Sequence, residues 1–193
     1  YAFPDGIPEA ANRYIYIDAK NQKWIGGYNE GLHRLKDTVW TNYSPGNSSI
    51  TDDDVRQSCF DTANNLWIAT WNKLNKFNVI SNTWTNYNVT GETNDILNSV
   101  QVDDQNRVWV GTDGGAGSTD GLYMFNGISW TFYNPTNSTL TGRWIRQLRK
   151  DRTGKIWGCH YLGLFEINGT TVSNHLLQTA GFPSNVMSTC VDF

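Results

Sequence analysis

A seven-residue pattern that recurs four times most constrains what this chain of 193 residues can fold into. Each copy has Asp, then Asn or Gly three residues later, then Trp three residues after that, at residues 18–24, 61–67, 103–109 and 151–157. Asn and Gly accept a positive φ at low cost, and an Asp side chain can accept hydrogen bonds from the backbone N–H groups that follow it. The pattern therefore predicts a tight turn. The apolar run that begins at each Trp predicts that this turn joins two strands.

The copies of the pattern define a longer repeat of about 40–50 residues. A second Trp recurs in three of the repeats, at Trp40, Trp84 and Trp130. Each repeat divides into four short strands, which we call A to D, and four strands per repeat of this length are typical of a β-propeller blade. A β-solenoid is the alternative, although its repeats are usually shorter. Helical repeats are disfavoured because no window has a 3.6-residue periodicity over three turns.

The predicted fold is an all-β propeller of four-stranded blades, with four blades and the first strand of a fifth in one partial domain, 1–193. The predicted repeats are approximately 13–54, 55–96, 97–144 and 145–185, and 186–193 starts another. We expect the chain to belong to a larger ring, or several chains to close one ring together, because a cut blade edge leaves unpaired N–H and C=O groups. The recurring Trp residues are expected to pack between blades rather than to bind a ligand, and they are Trp24, Trp67, Trp109 and Trp157.

Composition excludes several classes of protein. The net charge is −3 and no basic run is present, so nucleic acid is not an expected partner. No apolar stretch approaches the roughly 20 residues that a membrane-spanning helix needs. The chain begins at Tyr1 without Met, and we expect that an earlier segment was removed. Cys59, Cys159 and Cys190 are expected to be buried free thiols, because no Cys-x-x-Cys motif is present.

The repeat also resembles a known family. Strand A, then D-x-x-[NG]-x-x-W-[IV]-[GA]-[GT], then Gly-Leu and a short strand, resembles the two-component regulator propeller repeat. The connections WTNYSPGNSSI and WTFYNPTNSTL are similar to those of secreted versions from Bacteroidetes-type bacteria. The resemblance covers nearly the whole chain. It implies an extracellular or periplasmic propeller, of the kind that forms the sensor part of hybrid histidine kinases and often senses glycans.

The connections between strands B and C differ most from repeat to repeat, and the variable loops of a rigid scaffold are where binding residues concentrate. Exposed aromatic rings beside amides and carboxylates suit a sugar, because the ring stacks on C–H faces while the polar groups bind hydroxyls. The alternative is that these are ordinary polar loop residues, with Trp71 packed on a neighbour. The candidates from these connections are Tyr28, Trp71, Asp113, Asp120, His160 and Tyr161.

Two of these candidates are carboxylates that could contribute to a metal site. Asp113 and Asp120 flank a Gly-rich segment and could hold Ca²⁺ through oxygen ligands. Their spacing matches no EF-hand loop, so a flexible hairpin tip is favoured and no metal site is predicted. The three consecutive carboxylates at 52–54 are interpreted as a solvated loop.

Arg residues recur five positions before the motif Asp, at Arg13, Arg56 and Arg146, and Arg143 and Trp144 lie at the same level of the fourth repeat. A ring of guanidinium groups would attract a carboxylate or a sulfate. The alternative, which we favour, is that each Arg binds a neighbouring Asp or carbonyl and holds adjacent blades together.

No feature of the sequence predicts an enzyme or a cofactor. There is no strained-turn nucleophile motif, and the three His residues have no metal-ligand spacing. The predicted function is a non-enzymatic recognition module for a carbohydrate or a small anionic ligand. The alternative is a structural or assembly propeller that makes protein–protein contacts or self-associates through an open blade edge. A polysaccharide lyase or hydrolase is the third hypothesis, because its carboxylate pair would be assembled only in space.

Overall fold

The computed structural model describes residues 12–71, 73–91, 96–113 and 119–176, and within them the chain forms sixteen strands and no helix. Blade 1 contains β1 (Asn12–Ile17), β2 (Lys23–Gly27), β3 (Leu32–Lys36) and β4 (Val39–Tyr43). Blade 2 contains β5 (Val55–Phe60), β6 (Asn65–Thr70), β7 (Leu74–Asn78) and β8 (Thr83–Tyr87). Blade 3 contains β9 (Leu97–Val102), β10 (Val108–Thr112), β11 (Leu122–Phe125) and β12 (Trp130–Tyr133). Blade 4 contains β13 (Ile145–Lys150), β14 (Ile156–His160), β15 (Gly163–Asn168) and β16 (Thr171–Leu176).

Each blade is one four-stranded antiparallel sheet whose strands pair in chain order. The predicted all-β architecture of four-stranded blades is therefore confirmed. The chain divides into two compact units, residues 1–94 with blades 1 and 2 and residues 95–193 with blades 3 and 4. The single-domain assignment stays a prediction. The predicted fifth strand at 186–193 lies outside the described residues, as does Cys190.

The predicted Asp turn joins strands A and B of every blade. In blade 2, Oδ1 of Asp61 accepts hydrogen bonds from the backbone N–H groups of Ala63 (3.0 Å) and Asn65 (2.8 Å). Its Oδ2 accepts the indole N–H of Trp67 at 3.0 Å, and Asn64 has a φ of 60°. The same three bonds form at the other motif carboxylates, which are Asp18, Asp103 and Asp151.

The predicted packing of the motif Trp between blades is confirmed within the first unit. Trp24 of blade 1 is fully buried. Its ring centroid lies 5.8 Å from Phe60 and 6.4 Å from Phe77, both in blade 2. Leu66 and Ile68 of blade 2 belong to the same core cluster. The contact between the two sheets is thus built on one buried indole and apolar side chains of the next sheet.

The second unit repeats this packing. Trp109 of blade 3 is fully buried in a core cluster that blade 4 completes. The members from blade 4 include Leu148, Ile156 and Phe165. In both units, therefore, the face of one blade that carries the motif Trp packs on the opposite face of the next blade.

The motif carboxylate should contribute strongly to stability, and Asp61→Asn tests this. The Asn side chain keeps one acceptor oxygen but turns an N–H₂ donor toward the Trp67 indole N–H, so a buried donor loses its acceptor. We expect the free energy of unfolding to fall by about 1–3 kcal/mol, measured as the shift of the urea midpoint at unchanged slope.

The matched control is Asp37→Asn. Asp37 is an exposed turn residue with a φ of 54°, a conformation that Asn tolerates. This control should change the free energy of unfolding by no more than about 0.5 kcal/mol. Equal effects of the two substitutions would show that the Asp–Trp bond is not a major stabilising interaction.

Candidate functional site

Most of the predicted site residues lie at the ends of the sheets that are opposite the Asp turns. Because the Asp turn joins the end of strand A to the start of strand B, the start of A and the end of B meet at the other end. Arg13 and Arg56 lie at the starts of strands A in blades 1 and 2. Tyr28 and Trp71 directly follow the ends of the corresponding strands B. The topology therefore brings together residues that are about 15 positions apart.

In the first unit, one buried carboxylate joins the two Arg residues. Asp54 lies 3.1 Å from Nε of Arg13 and 3.0 Å from Nη2 of Arg56, and only 4% of its side chain is exposed. The carboxylate thus connects strand A of blade 1 to strand A of blade 2. This is the interpretation favoured from sequence, in which each Arg binds a neighbouring Asp and holds adjacent blades together.

Each of these Arg residues also lies against an aromatic ring of its own blade. The guanidinium carbon of Arg13 is 5.1 Å from the ring centroid of Tyr28, and that of Arg56 is 4.7 Å from the ring of Trp71. These are cation–π distances. Tyr28 and Trp71 remain 46% and 36% exposed, so both rings keep surface that a ligand can contact. We call Arg13, Tyr28, Asp54, Arg56 and Trp71 the Arg–aromatic cluster.

The interpretation of 52–54 as a solvated loop is wrong for Asp54, which is buried between the two Arg residues. The rest of the segment is also held in place. The carboxylate of Asp52 accepts the N–H of Asp54 at 2.8 Å, and the carbonyl of Asp53 accepts the N–H of Gly31 at 2.8 Å. Burial raises the pKa of Asp52, and the neighbouring carboxylates of Asp53 and Asp54 act in the same direction. Sequence reasoning missed the pairing of Asp54 with Arg13 because the two residues are far apart in the chain, although the other partner, Arg56, lies only two positions after Asp54.

In the second unit, Asp113 takes the role of the joining carboxylate. Its Oδ2 lies 3.1 Å from Nη1 of Arg146 in blade 4 and accepts the amide N–H of Asn98 in blade 3 at 3.1 Å. Asn98 stands where the other repeats have Arg, five residues before the motif Asp. The same joining interaction is thus supplied from a B–C connection here and from the residue before strand A in the first unit.

Two further candidates pack together beside blade 4. The rings of Trp144 and Tyr161 lie 5.2 Å apart at 49°, and they are 39% and 37% exposed. Arg143 is partly buried. Aromatic residues thus follow strand B in three of the four blades, at Tyr28, Trp71 and Tyr161.

His160 and Asp120 are buried, so the structure does not present them to a ligand. The N–H of Leu162 donates to Nδ1 of His160 at 3.1 Å, which leaves the ring proton on Nε2, 3.2 Å from the hydroxyl of Thr141. Burial lowers the pKa of His160, so the imidazole is neutral at pH 7. The sequence-based assignment of both side chains to a ligand surface is therefore corrected, because folding places them inside blades 3 and 4.

The described residues offer little for covalent or metal chemistry. Cys59 and Cys159 are buried free thiols, as predicted, and burial raises the pKa of Cys159 to about 11, which keeps it protonated. No group of three or more His, Cys, Asp or Glu residues within the described ranges could hold a metal ion. In particular, the carboxylate of Asp113 is already bound to Arg146 and Asn98.

The described part of the chain contains no membrane-spanning helix.

Comparison with known proteins bears on the fold. Residues 90–114 match the sequence model described as the two component regulator propeller. No curated protein matches the sequence.

Several solved structures share the fold. The extracellular domain of a hybrid two-component system from Bacteroides thetaiotaomicron is 17% identical, with a TM-score of 0.72 over 90% of this chain and 24% of that one. PorZ, a surface component of the type-IX secretion system of Porphyromonas gingivalis, is 20% identical, with a TM-score of 0.62 over 81% and 24% of the two chains. Virginiamycin B lyase from Staphylococcus aureus is 11% identical, with a TM-score of 0.66 over 86% and 55%.

The chain spans about a quarter of the length of the first two structures. At these identities the likeness shows the fold, and the four-stranded blades agree with it. The predicted resemblance is confirmed by the match at residues 90–114. The chain therefore has a β-propeller fold, and its residues 90–114 match the two component regulator propeller repeat.

Proposed function

We propose that the chain is a non-enzymatic recognition module and that the Arg–aromatic cluster binds a carbohydrate. The observation that carries the proposal is the cluster's construction. Two exposed aromatic rings each rest against an Arg, and both Arg residues are held by the one buried carboxylate of Asp54.

The cluster offers two kinds of contact that a protein surface can make with a sugar, which are apolar ring faces and hydrogen-bond donors. The rings of Tyr28 and Trp71 offer apolar faces on which the C–H groups of a pyranose can stack. The side chain of Arg13 is 38% exposed, so its N–H donors lie within reach of solvent and of a ligand's hydroxyl groups. Because Asp54 already holds the Arg side chains, little side-chain entropy remains to be lost when a ligand binds.

Charge favours neutral sugars over sulfated ones. The connection at 52–54 carries three carboxylates, whereas the cluster carries two guanidinium groups. Asp54 offsets one of the two guanidinium charges, and the carboxylates of Asp52 and Asp53 more than offset the other. A polysulfated chain would therefore gain less at this end of the blades than a neutral oligosaccharide would.

A non-enzymatic role and a location outside the cytoplasm also have support. The three charged residues of the cluster are engaged in ion pairs with one another, and His160 and Cys159 are buried. One structure with this fold is an extracellular domain of a two-component system, and another is a bacterial surface component. The S. aureus lyase shows that the fold can also serve an enzyme, so the proposal rests on the residues of this chain.

Substitution of the exposed rings tests the proposal. We expect the chain to bind at least one member of a panel of neutral β-glucan and mannan oligosaccharides, and Trp71→Ala to weaken that binding at least tenfold, which is about 1.4 kcal/mol. Titration calorimetry against the panel, with heparin oligosaccharides as the sulfated comparison, measures both expectations.

Ile80→Ala is the control for this test, because Ile80 is an exposed apolar residue of blade 2 in the turn between β7 and β8. It should leave the affinity unchanged. Absence of binding to the whole panel, or an affinity that survives Trp71→Ala and Tyr28→Ala together, would reject the proposed function.

Asp54 should act as a positioning residue for the two Arg side chains. Asp54→Asn removes the charge that holds them, so we expect the affinity for the bound oligosaccharide to fall and the free energy of unfolding to fall by about 1–3 kcal/mol. Asp53→Asn, one residue earlier, is the matched control and should change neither quantity. A loss of stability with an unchanged affinity would assign Asp54 a structural role only.

A further inference from the structure

A cavity of about 200 Å³ lies between blades 3 and 4, at the end of the sheets that carries the Asp turns. All of its lining residues belong to the second unit. Its walls come from the A–B turn of blade 3, which begins at Asp103, and from the two turns of blade 4 that contain Gly154 and Gly169. We call it the blade 3–4 cavity. It shares no residue with the Arg–aromatic cluster, so a ligand of this cavity would be recognised independently of the carbohydrate proposed above.

The second unit has small or polar side chains at positions where the first unit has bulky apolar ones. In blade 2, Phe60, Phe77 and Val79 all pack in the core cluster around Trp24. Their equivalents in blade 4, by position relative to the motif Asp and by strand pairing, are Lys150, Ile167 and Gly169. The space that two aromatic rings and an isopropyl group occupy in the first unit is therefore only partly filled in the second.

Two contacts between the blades fix charged side chains at the cavity. The guanidinium of Arg107 lies with Nε 2.6 Å from Oδ2 of Asp103, and its Nη2 donates to the carbonyl of Gly169 at 2.8 Å. The carboxylate of Asp104 accepts a hydrogen bond from Nζ of Lys150 through Oδ1, at 2.8 Å. Each contact runs from the A–B turn of blade 3 to blade 4, so both side chains are held before any ligand arrives.

Both side chains keep hydrogen-bonding capacity for a ligand. A guanidinium has five N–H donors, and Nη1 of Arg107 takes part in neither of the two contacts above. Oδ2 of Asp104 is not the oxygen that binds Lys150, and the side chain of Asp104 is 66% exposed. Gly154 lies beside this oxygen, and any side chain at position 154 would collide with it. The cavity thus has a cationic donor and an anionic acceptor in fixed positions.

The charges around the cavity sum to zero. The carboxylates of Asp103 and Asp104 are balanced by Arg107 and Lys150. A simple anion would be attracted by two cations and repelled by two carboxylates, and a simple cation would meet the reverse. A molecule that carries both an ammonium and a carboxylate can place each group beside the opposite charge and adds no net charge.

The size of the cavity limits the ligand. Sites for drug-sized molecules have volumes of roughly 300–1,000 Å³, so a cavity of about 200 Å³ suits a smaller molecule. Trp109, Ile156 and Ile167 close its inner side and are at most 2% exposed. They therefore leave little apolar surface for a large aliphatic or aromatic group to contact.

We propose that the blade 3–4 cavity binds a free α-amino acid with a small side chain, such as glycine, alanine or serine. The ammonium of the ligand binds Asp104, and its carboxylate binds Nη1 of Arg107. Blade 1 has Ala19 and Gln22 at the positions of Asp104 and Arg107, so it lacks both charges. One amino-acid site is therefore expected in the 193-residue chain.

Titration with L-alanine tests the proposal, with the backbone amides of the ¹⁵N-labelled chain observed by NMR. The amide signals of Gly154 and Gly169 should shift and saturate, whereas that of Ala19 should not move. Propionate lacks the ammonium and ethylamine lacks the carboxylate, so each should bind at least tenfold more weakly than L-alanine. L-Phenylalanine should also bind more weakly, because its ring exceeds the space available.

Asp104→Asn separates a contact with the ligand from a structural role. It should weaken the binding of L-alanine at least tenfold but should not weaken that of propionate, which has no ammonium. Loss of the Lys150 contact alone would affect both compounds equally. Asp37→Asn is the matched control, because it removes an exposed turn carboxylate of blade 1, and it should leave both affinities unchanged.

Ile167→Phe fills the cavity with the side chain that blade 2 carries at the equivalent position, Phe77. It should abolish the L-alanine shifts. Trp71→Ala, which tests carbohydrate binding, should leave them unchanged, so failure of one proposal does not depend on failure of the other.

Three outcomes would overturn the proposal. The first is the absence of a saturable shift at Gly154 and Gly169 at any concentration of L-alanine. The second is propionate or ethylamine binding as tightly as L-alanine. The third is an affinity for L-alanine that survives Asp104→Asn. Because Asp104 is exposed, this last variant decides the question even where Ile167→Phe prevents folding.

Discussion

The structure depends on an Asp carboxylate that occurs at the same position in each of the four blades. One oxygen of each motif Asp binds two backbone N–H groups and closes the turn between strands A and B, while the other binds the indole N–H of the Trp six residues later. That second bond orients the Trp on one face of the sheet, where Trp24 and Trp109 become the buried centre of the packing against the next blade. A local turn and a contact between two sheets are therefore coupled through a single side chain.

The ends of the sheets opposite the Asp turns are not held together by a carboxylate at a repeated position. There the joining carboxylate comes from before strand A in one unit, as Asp54, and from a B–C connection in the other, as Asp113. Both units therefore have a carboxylate–Arg ion pair between neighbouring blades, although the carboxylate comes from a different connection in each. The surrounding loops can thus differ in sequence. The exposed rings of Tyr28, Trp71 and Tyr161 occur at this end, so the repeated end supplies the fold and the variable end supplies the surface on which recognition is proposed.

Particular residues show where reasoning from sequence succeeds and where it stops. The turn at Asn64 and the burial of Trp24 follow from a local pattern, because a positive φ and a strand-initiating aromatic are properties of a few neighbouring residues. The pairing of Arg13 with Asp54 does not, because the partner lies a whole repeat away. His160 and Asp120 were expected in loops at a ligand surface, but both are buried, and His160 contacts Thr141 and Gly142, which lie about 20 residues earlier in the chain.

The sequence by itself determined the blade: its four strands, its Asp turn and the Trp on one of its faces, all of which are encoded within about 40–50 residues and repeated. Only the tertiary structure decided which charges are paired and which apolar faces are covered. Both depend on what a neighbouring blade places within a few ångströms. Ser58 and Leu148 are hidden by the blade before them, while Ile15, at the same position of the repeat, is 59% exposed. The burial of a side chain at this position depends on the neighbouring sheet, so it cannot be predicted from the repeated sequence pattern of a single sheet.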